Sequence, residues 1–177
     1  DVHCVDPARK VVVTNIGEFS YDILILALGS TTNFFGNRAM EQFAMQLKSI
    51  SQALDIRSDV LQDFEAAMSA HEEEERRRCL NFVIVGAGPT GVELAGALAE
   101  IRRTVVHREY REIQSNMMRI VLVDSNERVL KNFSEKASAH AQHYLEDLGV
   151  EVRLGDRVVG GDEDHIILKD GSTMETN

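Results

Sequence analysis

The feature that most restricts how this chain can fold is a short apolar run, Phe82-Val83-Ile84-Val85. It leads directly into Gly86-Ala87-Gly88-Pro89-Thr90-Gly91 and then into a stretch with helical periodicity. Glycines spaced Gly-x-Gly-x-x-Gly are common by chance, but between a strand and a helix they specify a turn that receives a dinucleotide. Gly86 lets the chain reverse sharply, Gly88 removes the side chain that would keep a pyrophosphate off the backbone, and Gly91 lets the helix lie close to the sheet. The phosphates then meet the unbonded N–H groups and positive dipole end of the helix, with no Lys required. Pro89 and Thr90, between the last two glycines, belong to the same candidate site. The competing reading is a glycine turn that serves packing alone.

The residues that follow give this turn a domain. Leu94, Ala95, Leu98, Ile101 and Val105 share one face of a helix expected over residues 92–106, and residues 107–116 read as polar and irregular. Residues 119–123 form the next strand, ending at Asp124. Ser134 caps a helix that carries Ala137, Ala141, Tyr144, Leu145 and Leu148 on one side until Gly149 stops it, and residues 150–154 make a third strand. The β-α-β-α-β order implies an α/β, Rossmann-like parallel sheet built by right-handed crossovers. Gly160-Gly161-Asp162, the run 165–168, and Asp170-Gly171 leading into 172–176 then read as a small β-meander.

Asp124, at the end of the second strand, can accept hydrogen bonds from both ribose hydroxyls and would repel a 2′-phosphate, which favours NAD over NADP. It stands further from the glycines than the roughly 20 residues of the simplest fingerprint, an excess assigned to the polar insertion at 107–116. The alternative role is a turn or helix-capping Asp, and Arg128 nearby leaves NADPH disfavoured without excluding it. Glu93 is expected in the first helical turn, where a carboxylate interacts well with the dipole whether or not it meets a ligand. His140 and His143 stand at i, i+3 with no Cys or carboxylate cluster, so no metal site is expected.

Upstream, residues 11–13 and 21–29 read as two strands, the second a continuous apolar run of the kind buried on both faces. Residues 30–36 are a loop marking a domain boundary. Ile50, Ala53, Leu54, Leu61, Phe64 and Met68 define an amphipathic helix opened by a Ser49/Gln52 capping box. Glu72, Glu73 and Glu74 each precede an Arg by four residues, the favourable order for ion pairs on a solvated helix end.

Composition narrows the function classes. A formal net charge of −10 argues against nucleic acid. No stretch approaches the roughly 20 apolar residues of a bilayer span. Cys4 and Cys79 are too far apart for a Cys-x-x-Cys pair, which fits a reducing, cytoplasmic compartment. The opening residues offer no secretory signal and no initiator Met, so a portion of a longer protein is expected, its sheet continuing beyond Asn177.

Residues 21–36, ending Leu28-Gly29-Ser30-Thr31-Thr32-Asn33-Phe34-Phe35-Gly36, together with Phe82 through Gly96 and Arg128-Val129-Leu130, resemble the type II NADH dehydrogenases over nearly the whole chain. The resemblance implies an FAD domain split around an inserted NADH domain: residues 1–36 would end the first part of the FAD domain, 37–80 would be a helical connector, and 81–177 an incomplete NAD-binding domain. It implies that Gly29 and Ser30 approach the FAD, although the family more often has Ala-Thr-Gly where this chain has Ala27-Leu28-Gly29. It places Glu93 near the nicotinamide, and implies hydride transfer from NADH to FAD and onward to a quinone, the flavin carrying the chemistry and no side chain acting as a nucleophile. The full-length protein would be peripheral on the inner face of the cell membrane, attached through regions outside this chain, with a homodimer open; the chain alone would be inactive. Two other readings stand beside this one: a related flavin reductase serving a ferredoxin, sulfide or disulfide partner, and a non-catalytic NAD-binding module that docks through the acidic helix at 49–78.

Overall fold

The computed structural model describes residues 1–114 and 116–176; Ser115, within the expected polar stretch 107–116, and Asn177 lie outside the described residues. The chain divides into two compact units, Asp1–Thr31 and Thr32–Asn177.

The first unit is an antiparallel meander of β1 (Val2–Asp6), β2 (Val11–Thr14) and β3 (Gly17–Ser20). Asp6 shapes its first turn by accepting from the N–H groups of Ala8 and Arg9, both at 3.0 Å, a side-chain mimic of a backbone turn. The expected β2 is present, whereas the expected strand at 21–29 is not. Beyond the bond from the Tyr21 N–H to the Lys10 carbonyl at 3.0 Å, this run forms no ladder, and Ile23, Ile25 and Leu28 are 85%, 83% and 86% exposed. An apolar run becomes a doubly buried strand only when neighbours supply both hydrogen bonds and covering side chains. No described segment of this unit does either for residues 22–29.

The second unit holds the expected α/β sheet. After a short helix α1 (Arg38–Phe43), helix α2 (Ile50–Ser69) begins at the anticipated capping box, with Ser49 Oγ accepting from the Gln52 N–H and the Gln52 side chain accepting from the Ser49 N–H. In α3 (Glu73–Cys79) only one of the three anticipated ion pairs forms, Arg77 with Glu73 at 3.2 Å. Arg76 instead donates to the Ala67 and Ala70 carbonyls, and Arg78 reaches Asp164 at 2.8 Å. The unsatisfied carbonyls at the end of α2 compete successfully for Arg76, because an exposed i, i+4 pair is worth only ~0.3–0.5 kcal/mol.

Strands β4 (Asn81–Val85), β5 (Arg119–Asp124) and β6 (Glu151–Leu154) pair in parallel, in that order, with Val85 opposite Val123. They are linked by helix α4 (Pro89–Ile101) and helix α6 (Glu135–Asp147). Side chains of β5 alternate between two cores. Ile120 and Leu122 pack with Phe64, Leu98, Val106 and Leu145 on the helical side. Val121 and Val123 pack with Ile166, Leu168 and Met174 on the other. That second cover is the expected meander, β7 (Val158–Gly161), β8 (His165–Leu168) and β9 (Thr173–Glu175). With both faces covered, β5 is apolar without alternation, and each such Val or Leu contributes ~1.5–3 kcal/mol by leaving water.

Two local differences from expectation concern α4. It begins at Pro89 rather than Val92, because Pro has its φ preset for the first helical position and lacks the N–H that would go unbonded there. Its last turns also pass into a π-helical segment, Arg102–Val106, and a further helical turn α5 (His107–Glu109), so the polar stretch is partly helical. There the Arg102 guanidinium donates to the carbonyls of Met118, Leu148 and Gly149, joining the C-terminal end of α6 to the start of β5. Tyr144, expected on the apolar side of α6, is exposed, while Leu145 is buried.

Candidate functional site

Parallel pairing brings the carboxyl ends of β4 and β5 side by side, where ligands of open α/β sheets bind. The Gly86 N–H extends the ladder by donating to the Val123 carbonyl at 2.7 Å, and one residue further the Ala87 N–H donates to Asp124 Oδ2 at 2.6 Å. The 86–91 turn and Asp124 are therefore adjacent and bonded. Residues 125–133 fold back over the same turn: the Leu130 N–H donates to the Ala87 carbonyl at 2.8 Å, and Val129 is fully buried beneath. Leu130 is held in the left-handed region, φ +50°, an uncommon conformation for a non-glycine residue that this bond helps fix.

The three glycines have separable roles. Gly86 has φ +110°, a conformation that side chains resist. Gly91 is required by internal packing, since a Cβ there would overlap the Gly86 carbonyl oxygen. Gly88 caps α4 with ordinary extended backbone, and a Cβ built on it meets nothing within 4 Å. Nothing in the protein thus forbids a side chain at Gly88. Gly88, Pro89 and Thr90 are exposed, and the N–H groups that open an α-helix have no intrahelical acceptor. The result is an open, electropositive cradle that fits a pyrophosphate.

Asp124 is more committed than the sequence suggests. Besides the Ala87 N–H on Oδ2, its Oδ1 accepts from the Asn126 N–H and from Asn126 Nδ2, both at 2.7 Å. The turn-forming and ligand-binding readings of this residue are compatible, because a carboxylate has about four acceptor positions and these bonds use three. Glu93 lies past the first turn of α4, because the helix starts earlier than expected, so the dipole argument for it lapses. It is exposed and makes no ion pair or side-chain hydrogen bond among the described residues. Gly29, at φ +72°, and Ser30 are exposed residues of the first unit. Among the described residues there is no cluster of His, Cys, Asp and Glu able to hold a metal, and no helix is long and apolar enough to cross a membrane.

Sequence reasoning missed Asn126 and Lys131. Lys131 Nζ donates to Asn126 Oδ1 at 2.8 Å, and Arg128 Nη2 donates to the Lys131 carbonyl at 2.7 Å. The only signal in the sequence was their position directly after Asp124.

A parallel three-stranded sheet with a glycine turn opening the first crossover helix, an acidic residue closing the second strand and a meander over the far face defines a Rossmann-like α/β domain, the class of fold in which dinucleotides are bound at this edge. The chain belongs to the pyridine nucleotide-disulphide oxidoreductase family, whose model matches residues 1–177.

Within that family it is 40% identical over 170 residues to the type II NADH:quinone oxidoreductase Ndh of Mycobacterium tuberculosis, a match covering 94% of this chain and 37% of that protein. It is 36% identical over 157 residues to the external alternative NAD(P)H-ubiquinone oxidoreductase B4 of Arabidopsis thaliana mitochondria, covering 88% of this chain and 27% of that protein. The structure of NDH2 from Plasmodium falciparum in complex with NADH shares the fold, with a TM-score of 0.78 at 24% identity over 94% of this chain and 35% of that one. The chain thus spans between about a quarter and a little over a third of the length of these relatives.

Proposed function

We propose that this chain is the NADH-binding portion of a flavin-dependent NADH:quinone oxidoreductase. The observation that carries the reading is Gly88: a Cβ there would meet nothing within 4 Å, so the bare backbone leaves open space in which a ligand can approach it. The pyrophosphate lies on the exposed N–H groups at the start of α4, and Asp124 takes ribose hydroxyls with its remaining acceptor capacity. Similarity to NADH:quinone oxidoreductases supports the choice of NADH and of quinone as substrates.

On this reading residues 1–36 end the first part of an FAD domain, with Gly29 and Ser30 toward the flavin, 37–80 form a connector and 81–177 belong to the NADH domain. FAD, when bound, supplies the hydride acceptor and passes electrons to quinone. This chain's own residues bind and orient: the 86–91 turn and Asp124 fix the adenosine half, which sets the reach of the nicotinamide, and Glu93, one turn into α4 with its carboxylate unengaged, borders the nicotinamide end. The isolated chain is inactive, and the full-length protein associates peripherally with the inner face of the cell membrane.

The intact protein tests this directly. It should purify yellow, its flavin absorbance should bleach on anaerobic addition of NADH, and a soluble quinone should restore the colour. A colourless protein that still binds NADH would instead identify a non-catalytic nucleotide-binding module; bleaching without reoxidation by quinone would point to a reductase serving another acceptor.

A further inference from the structure

Both backbone groups of Ala87, the residue between the first two glycines of the turn, are bonded to the chain that leaves β5. Its N–H donates to Asp124 Oδ2 at 2.6 Å, and its carbonyl accepts from the Leu130 N–H at 2.8 Å. A trans peptide is planar with its C=O and N–H antiparallel, so fixing the Ala87 carbonyl on Leu130 turns the Gly88 N–H the opposite way. That N–H meets no acceptor among the described residues, and Gly88 is exposed. The peptide would not hold this orientation by itself. A flip of the Ala87–Gly88 peptide changes φ at Gly88, and glycine accepts positive φ about as readily as the −74° it has here. The glycine that leaves space for a ligand thus also makes the turn loose, and a bond from outside the turn has to fix it.

Leu130 supplies that bond from a costly conformation. Its φ of +50° is uncommon for a residue with a side chain, and such positions persist where surrounding contacts over-determine them. Here they do. Val129 before it is fully buried, and the Leu130 carbonyl accepts from the Phe133 N–H at 2.8 Å and from Ser138 Oγ, a buried hydroxyl of α6, at 3.3 Å. We propose that Leu130 is a positioning residue for the dinucleotide: its left-handed backbone locks the Ala87–Gly88 peptide so that the Gly88 N–H is presented to the pyrophosphate. With this donor already oriented, binding does not have to order the turn. The inference rests on the nucleotide-site reading above and deepens it, giving the loop between β5 and α6 a part in affinity.

Substitutions at Leu130 separate this role from packing, because the side chain best suited to the core is not the one best suited to φ +50°. The intact, flavin-loaded protein is titrated calorimetrically with NAD⁺, which leaves the oxidised flavin unreduced, and is unfolded in denaturant in parallel. Leu130→Gly and Leu130→Asn should lower the denaturant midpoint by removing a partly buried side chain. Both residues tolerate the left-handed region, so NAD⁺ affinity should stay within about twofold of wild type. Leu130→Ile keeps the apolar volume, but its branched Cβ resists positive φ. It should weaken NAD⁺ roughly tenfold, the value of one hydrogen bond to a charged group. Leu130→Val makes the same comparison if the Ile variant does not fold. Affinity that falls in step with the midpoint, or that is equal in all variants, overturns the inference. Wild type that binds no NAD⁺ overturns the nucleotide-site reading itself, and this inference with it.

Discussion

At the scale of single residues, the glycines of one motif are alike in type but not in reason, and substitution separates them. Gly91→Ala drives a methyl group into the Gly86 carbonyl, and overpacking of this kind costs about 1–3 kcal/mol. It should lower the denaturant midpoint and loosen the turn. Gly88→Ala meets open space at an ordinary φ, so its midpoint should move by less than ~0.5 kcal/mol, yet NADH affinity should fall because the methyl group occupies the ligand's approach. Chemical denaturation and NADH titration of the two variants check the pair; equal loss of stability in both would remove the argument from Gly88. The motif and Asp124 were legible in sequence because their spacing is local. The Asp124–Asn126–Lys131 network was not, since it depends on how residues 125–133 fold back over the turn.

Among elements, the periodic and bounded ones were readable: α2 from its capping box, β4 and β5 from apolar runs, the meander from Asp170-Gly171. Residues 21–29 carry the same apolar signal as β5 and form no strand. Hydrophobicity states what a segment can bury, while partners decide whether it is buried. The end of α3 illustrates the consequence of burial for chemistry. Cys79 is buried where β4 begins, and desolvation, reinforced by the negative charge of Asp63, holds its thiol above the ordinary range. Since the thiolate is the reactive form, Cys79 should resist alkylation at neutral pH, whereas exposed Cys4 should react. Mass spectrometry after iodoacetamide should find one label on native protein and two after denaturation. Labelling of Cys79 in the native state would mean that the α3–β4 junction opens.

For the whole molecule, the sheet and its site occupy the second unit, and the first unit carries the segment that the family resemblance assigns to flavin. The fold class was legible because the order of strands and helices admits one handed crossover arrangement. The proposed quinone reaction was not derivable from residue patterning, because in flavin enzymes the cofactor carries the chemistry, and this chain spans 37% of the length of its Mycobacterium relative. The central claim is that the carboxyl edge of β4 and β5 holds NADH, and a structure of the intact protein with NADH bound tests it most directly. The pyrophosphate should lie within hydrogen-bonding distance of the backbone N–H groups at Thr90 and Gly91, against the bare Cα of Gly88, with a ribose hydroxyl on Asp124. NADH bound elsewhere, with the 86–91 turn free, would contradict the account.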